Sequence, residues 1–322
     1  MNIGIIGTGL IANNMAYTLT KMDNVKAYAI ASRDINKANS FKDKYQMTKA
    51  YGSYEELMID NNVNLIYIAT PHSHHHKNAM MALQHHKPIL VEKSFTVNYI
   101  QAKEILDYAK KYNIFVAEAI WTRYLPSRKI IDEILTSNII GKVTSLSCNL
   151  GYKIDHIDRI VNPNLAGGAL LDVGVYPINF ASMFLGNDII DIQTTCVKNE
   201  AGVDLRNSMI FTYKNSVLAS LHSDASSITD QYGHINGDKG YIIAKKINNI
   251  DAIEVYDHNR TLIKSYDIPK QITGLEYQIE ACIKAIKNNQ IEVKEMPHDE
   301  ILEIMKQMDT IRSKWQLKYP FE

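Results

Sequence analysis

Two residues suited to moving protons stand four apart in residues 167–177, GGALLDVGVYP: the carboxylate of Asp172 and the phenol of Tyr176. If a helix begins near Asp172, this spacing puts both groups on one face, one turn apart. Packing explains the same residues equally well, with Tyr176 as an amphipathic core residue and Asp172 as a helix N-cap. The preceding pair, Gly167 and Gly168, would let the chain pass close to a substrate or simply turn.

The elements that must position this pair are legible elsewhere in the chain. Residues 2–6 (NIGII) form a short apolar run, and 10–22 carry apolar residues at helical spacing, so the chain opens strand, turn, helix. Strands follow near 25–31, 65–69, 89–91 and 114–117, alternating with helices at 36–45, 78–85 and 101–112. This alternation predicts a doubly wound parallel sheet of the Rossmann type over residues 1–120. After Trp121 a helix at 126–137 leads to strand-like segments at 142–152, 194–198, 208–213, 217–223, 232–235, 241–244, 252–256 and 261–266. Helices at 274–288 and 299–314 finish the chain. The expected fold is α/β: a Rossmann domain over 1–120, then an α+β domain over 121–322 with a large, mostly antiparallel open sheet.

Between the first strand and helix lies GxGxxA, Gly7, Gly9 and Ala12. Such a turn brings a pyrophosphate close to the backbone at a helix N-terminus. The turn residues Gly7, Thr8, Gly9, Leu10 and Ile11 are therefore candidate cofactor contacts. At the end of the second strand, where an Asp or Glu would bind the ribose of NAD, stand Ser32 and Arg33. A hydroxyl and a guanidinium suit a 2'-phosphate and favour NADP, while Asp34 is close enough to keep NAD open. Ala69, Thr70 and Pro71 end one central strand and Glu92 and Lys93 another, at the edge where ligands bind in such sheets.

His72, His74, His75 and His76 invite a metal reading. The run reads as a loop entering a helix at 78, so successive rings point in different directions, and no nearby cysteine adds a second ligand type. No metal is expected; most of these rings should be exposed, with His75 facing the cofactor. Lys+Arg and Asp+Glu balance at 35 each, which gives no overall field for nucleic acid or a membrane surface. Three dispersed cysteines argue against a disulfide framework. No apolar run approaches the roughly 20 residues of a membrane span, so the chain is expected to be soluble and cytoplasmic.

Seven segments in order, GIIGTGLIA at 4–12, IASRD at 30–34, IATPHSHHH at 68–76, VEKS at 91–94, EAIWTRYLP at 118–126, GGALLDVGVYP and YPFE at 319–322, resemble the Gfo/Idh/MocA family across the whole chain. EAIWTR, DVGVYP and YPFE look most like its NADP-linked dimeric dihydrodiol dehydrogenase and D-xylose dehydrogenase branch. The resemblance puts the family's catalytic lysine on Lys93 and its aspartate and tyrosine on Asp172 and Tyr176. Trp121 and Arg123 match positions lining the active-site side, where they are expected beside the cofactor. Ser94 replaces the family's proline, which loosens the backbone at Lys93.

On this footing the expected chemistry is hydride transfer between nicotinamide and a hydroxyl or carbonyl carbon of a sugar, polyol or trans-dihydrodiol. A free tyrosine titrates near about 10 and needs a positive neighbour to act near neutrality. Tyr176 is the expected general acid/base, with Lys93 lowering its pKa and bonding the substrate oxygen, and Asp172 orienting it; Lys93 as proton donor is the open alternative. A silent dinucleotide-binding regulator and a nicotinamide-dependent glycoside hydrolase are competing functions. A homodimer or higher homo-oligomer is expected.

Overall fold

A computed structural model describes all 322 residues. In chain order the elements are β1 (Asn2–Ile6), α1 (Leu10–Leu19), β2 (Lys26–Ala31), α2 (Ile35–Tyr45), β3 (Lys49–Tyr51), α3 (Tyr54–Met58), β4 (Leu65–Ile68), α4 (His72–Gln84), β5 (Ile89–Glu92), α5 (Tyr99–Tyr112) and β6 (Val116–Ala119). Next come α6 (Pro126–Thr136), β7 (Val143–Gly151), α7 (Asp158–Val161), a π turn (Leu170–Gly174), α8 (Val175–Leu185), β8 (Ile189–Lys198), β9 (Asp204–Tyr213), β10 (Leu218–Asp224), β11 (Gly233–Gly237), β12 (Gly240–Lys245), β13 (Ala252–Asp257), β14 (Leu262–Tyr266), α9 (Glu276–Lys287) and α10 (His298–Lys314).

The first compact unit comprises Met1–Ile120 and Gln271–Met305. Its six strands are all parallel, in the order β3-β2-β1-β4-β5-β6. β1, β4 and β5 are almost wholly buried, which explains their unbroken apolar sequences. Strand order reverses between β1 and β4, so the turns after these two strands form the crevice such sheets use for ligands. Residues 271–305 belong to this unit together with Met1–Ile120. Two bonds onto β6 tie them in: Val116 N donates to Ile291 O at 2.9 Å, and the His298 ring nitrogen meets Val116 O at 3.0 Å.

The second unit comprises Trp121–Lys270 and Lys306–Glu322. Its eight-stranded sheet runs β14-β13-β12-β11-β7-β10-β9-β8, antiparallel except for the β7–β10 pair. Burial alternates along β7, β9, β10 and β12, leaving one face open. α8 covers β7 and β10 on the other face and is buried all round from Val175 to Ser182. Within residues 163–185 an 18-residue stretch reaches the mean hydropathy (1.3) of a membrane span, but Asp172 interrupts it, and 83% of that stretch is buried as a core segment.

Two further departures from expectation have local causes. α4 begins at His72, six residues before the expected start, because Pro71 occupies its N-cap and fixes φ at the entry; the polar histidines concealed the helix. Short β3 and α3 went unread because three- and five-residue elements carry too few repeats for a period.

Candidate functional site

In the first unit the glycine turn has the shape a pyrophosphate requires. Gly7 takes φ +100°, and a Cβ there would meet Ala69 O at 2.5 Å, so only glycine lets β1 and β4 end side by side. Gly9 is the N-cap of α1, and nothing lies within 4 Å of where its Cβ would stand. No side chain caps α1 and its first turn holds no acidic residue, so its orphan N–H groups face that space. Ala12 is fully buried and lets α1 lie against the sheet. Leu10 is exposed and Thr8 and Ile11 are half-buried beside the turn. These residues fit a dinucleotide: Gly9 and the start of α1 would hold its pyrophosphate.

At the end of β2, Ser32 is buried and Arg33 exposed. Asp34 caps α2, accepting from Asn36 N at 2.9 Å and Lys37 N at 3.4 Å. Tyr54 at the start of α3 lies within the charge field of Arg33, which pulls its phenol down, although burial dominates and holds it above the ordinary value. His74, in the first turn of α4, is half-buried; burial, with Arg33 and Lys77 adding, holds its imidazole below the ordinary value.

The walls after β4 and β5 are joined by His75. Its ring is fully buried, one nitrogen 2.8 Å from Thr70 O and the other 2.9 Å from Ser94 O. Burial holds it below the ordinary histidine value against the pull of these carbonyls. His75 is therefore a brace between the two loops, and His72, stacked edge-on to it at 5.7 Å, is buried too, against the expectation that most of these rings are exposed. The four histidines do not converge: His74 meets Ser73 Oγ and His76 pairs with Glu104 on α5.

Lys93 is half-exposed and its charge reaches His75. Glu92, expected beside the cofactor, is buried: its carboxylate takes the Tyr67 hydroxyl and Lys93 N. The 93–94 peptide is cis, and Ser94, expected to leave this backbone loose, is fully buried with its carbonyl on His75; Phe95 N donates to Glu118 Oε1 at 2.9 Å.

In the second unit the 167–177 segment departs from the expected single helix. Asp172 lies in the π turn, and Tyr176 in the first turn of α8. Asp172 is buried and pairs with Arg159 of α7 at 2.7 Å. The Tyr176 hydroxyl oxygen accepts the indole N–H of Trp121 at 2.9 Å. Arg123, expected at the cofactor, is 3% exposed, with Nε on Asn179 Oδ1 and Nη2 on Ser182 Oγ, both of α8. The glycine pair serves the turn: a Cβ on Gly167 would meet Ile160 O at 2.6 Å, and Gly168, at φ +123°, faces the Asp204 carboxylate. Sequence reading missed Arg159 and Tyr152. Burial, against the Asn248 and Gln231 side chains and with the Asp172 charge adding, holds the Tyr152 phenol above its ordinary value. A polar end to a half-buried strand was the available signal.

A family model described as the oxidoreductase family with NAD-binding Rossmann fold, GFO_IDH_MocA, matches residues 1–119, and the GFO/IDH/MocA C-terminal domain matches 129–243. The chain belongs to this family. Trans-1,2-dihydrobenzene-1,2-diol dehydrogenase of Xenopus tropicalis is 33% identical over 304 residues, 89% of this chain and 91% of the relative. The enzyme of that name from Mus musculus is 35% identical, over 76% of this chain and 74% of its own. Among solved structures, a 3-ketoreductase from Actinomadura kijaniata in complex with NADP and TDP-benzene superposes at TM-score 0.89 with 21% identity, over 97% of each chain. The aldose-aldose oxidoreductase of Caulobacter crescentus gives 0.89 at 16% identity, over 98% and 97%. As a Gfo/Idh/MocA protein the chain is an NAD(P)-dependent dehydrogenase.

Proposed function

We propose that this Gfo/Idh/MocA protein is an NADP-linked oxidoreductase that interconverts a hydroxyl and a carbonyl carbon on a small polyhydroxylated or dihydrodiol substrate. The observation that carries this reading is the Tyr176 phenol, buried yet oriented by an indole N–H, in a chain whose α1 start is open to a pyrophosphate. The bound nicotinamide supplies or accepts the hydride. The chain's own residues handle the proton: Tyr176 delivers it to or removes it from the substrate oxygen, and Lys93 bonds that oxygen and favours the phenolate. Asp172, locked to Arg159, orients the segment that carries Tyr176.

NADP is favoured because Asp34, the carboxylate that follows Arg33, is spent capping α2, while Ser32 and Arg33 suit a 2'-phosphate. Arg33, Ala69, Thr70, Pro71 and His75 line or brace the cofactor crevice in this reading, and Trp121 serves the substrate side. The two dihydrodiol dehydrogenases named above make trans-dihydrodiols the first substrates to try, followed by aldoses and polyols. We further propose a cytoplasmic homodimer. Its three free cysteines suit a reducing compartment. The open sheet face supplies the dimer surface, with Ile210 and Leu218 exposed among serines.

The test is NADPH formation, followed by nicotinamide absorbance, across these three substrate classes. Turnover of one class with NADP supports the reading. Binding of NADP with no turnover of any class would indicate a regulator, and aglycone release without net NADP reduction a glycosidase.

A further inference from the structure

An indole nitrogen donates and has no lone pair to accept. The 2.9 Å bond from Trp121 to Tyr176 therefore has a fixed sense: the phenol oxygen accepts, and its own proton is directed elsewhere. Tyr176 is 8% exposed, so a phenolate there would lose most of its hydration, and a donor already aimed at the oxygen replaces part of it.

The indole is itself held in place. Trp121 opens a 3-10 turn, Trp121–Arg123, whose other two residues are anchored. Thr122 Oγ1 donates to Ile247 O at 2.9 Å, and Arg123 Nε and Nη2 reach Asn179 and Ser182 at 2.5 and 2.9 Å. Tyr176, Asn179 and Ser182 recur every third residue of α8, so one short turn grips the helix at successive positions along its length.

We propose that Trp121 is the positioning residue for proton transfer at Tyr176: its N–H fixes the phenol oxygen as acceptor and stabilises the phenolate. This rests on the acid/base role of Tyr176 proposed above. The other titratable or charged groups on elements packed against α8 are Asp172 in the π turn, paired with Arg159; Arg123; Cys148 on β7, whose thiol burial pushes well above its ordinary value; and, on β10, His222, whose ring meets Ser208 Oγ, and Asp224, ringed by Ser226 and Ser227. None of them depends on the indole nitrogen.

The test replaces Trp121 in the full chain by Phe and, separately, by genetically encoded benzothienylalanine, which keeps the bicyclic shape with sulfur in place of N–H. 3-Fluorotyrosine at position 176 reports the phenol's titration by fluorine NMR. Loss of the N–H is expected to move that titration upward by about one pH unit, and to move the corresponding limb of the kcat/KM profile the same way. An unchanged fluorine titration in the benzothienylalanine protein overturns the inference and leaves the Tyr176 reading intact. Full turnover in Tyr176→Phe would instead remove the reading itself.

Discussion

Two phenols flank the π turn, and their surroundings assign them opposite duties. Tyr152 lies near Asp172 and is half-buried, which holds its phenol above the ordinary value; Tyr176 receives a donor bond that favours its anion. Replacing Tyr152 by Phe should therefore leave the pH dependence of turnover in place. At the cofactor end, Ser32→Asp sets a carboxylate against a 2'-phosphate and should shift the NADP to NAD ratio of kcat/KM toward NAD by about tenfold or more. An unchanged ratio would show that the ribose pocket lies elsewhere. His75 carries a stability prediction. Its folded pKa lies below the ordinary 6.5, so as pH falls below about 6.5 the unfolded chain takes up a proton that the folded chain refuses. Stability is full above that pH and declines toward the folded pKa. In denaturant titrations His75→Asn should lower stability at neutral pH but flatten its slope below pH 6.5 by up to about 1.4 kcal/mol per unit.

At the level of elements, the glycine pair before the π turn separates two costs. Gly168 combines φ +123° with a Cβ position against Asp204, whereas Gly202 has φ +88° and open space. Gly202→Ala should cost about 1 kcal/mol from backbone strain alone, and Gly168→Ala about 2 kcal/mol or more. Equal losses in chemical denaturation would mean that Asp204 does not constrain the turn. The same segment shows why part of the site was hidden in the sequence. The four-residue spacing of Asp172 and Tyr176 reads as one helical face, but a π turn holds the first and α8 the second, and nothing in the residue types marks that change of pitch. Partners such as Arg159 and Trp121 come from other elements, so no local period could reveal them.

For the whole molecule, the Rossmann sheet was legible because its strands are continuous apolar runs between helical repeats, and GxGxxA punctuates the first of them. The eight-stranded sheet was legible in its strands, less so in their order, since the parallel β7–β10 pair brings together segments far apart in the chain. That Gln271–Met305 joins the first unit was not legible, because an amphipathic helix shows that it covers a core without showing which one. Sedimentation analysis tests the proposed dimer: Leu218→Lys on the open sheet face should yield monomer, and an unchanged sedimentation coefficient would place the interface on another surface.

The central claim is that Tyr176 moves the proton in an NADP-linked dehydrogenase. Its most direct test is turnover of Tyr176→Phe on the best substrate found, with NADPH affinity measured by fluorescence alongside. The expected result is a fall in kcat of about 10²-fold or more at nearly unchanged NADPH affinity. Turnover equal to that of the unaltered protein would contradict the account.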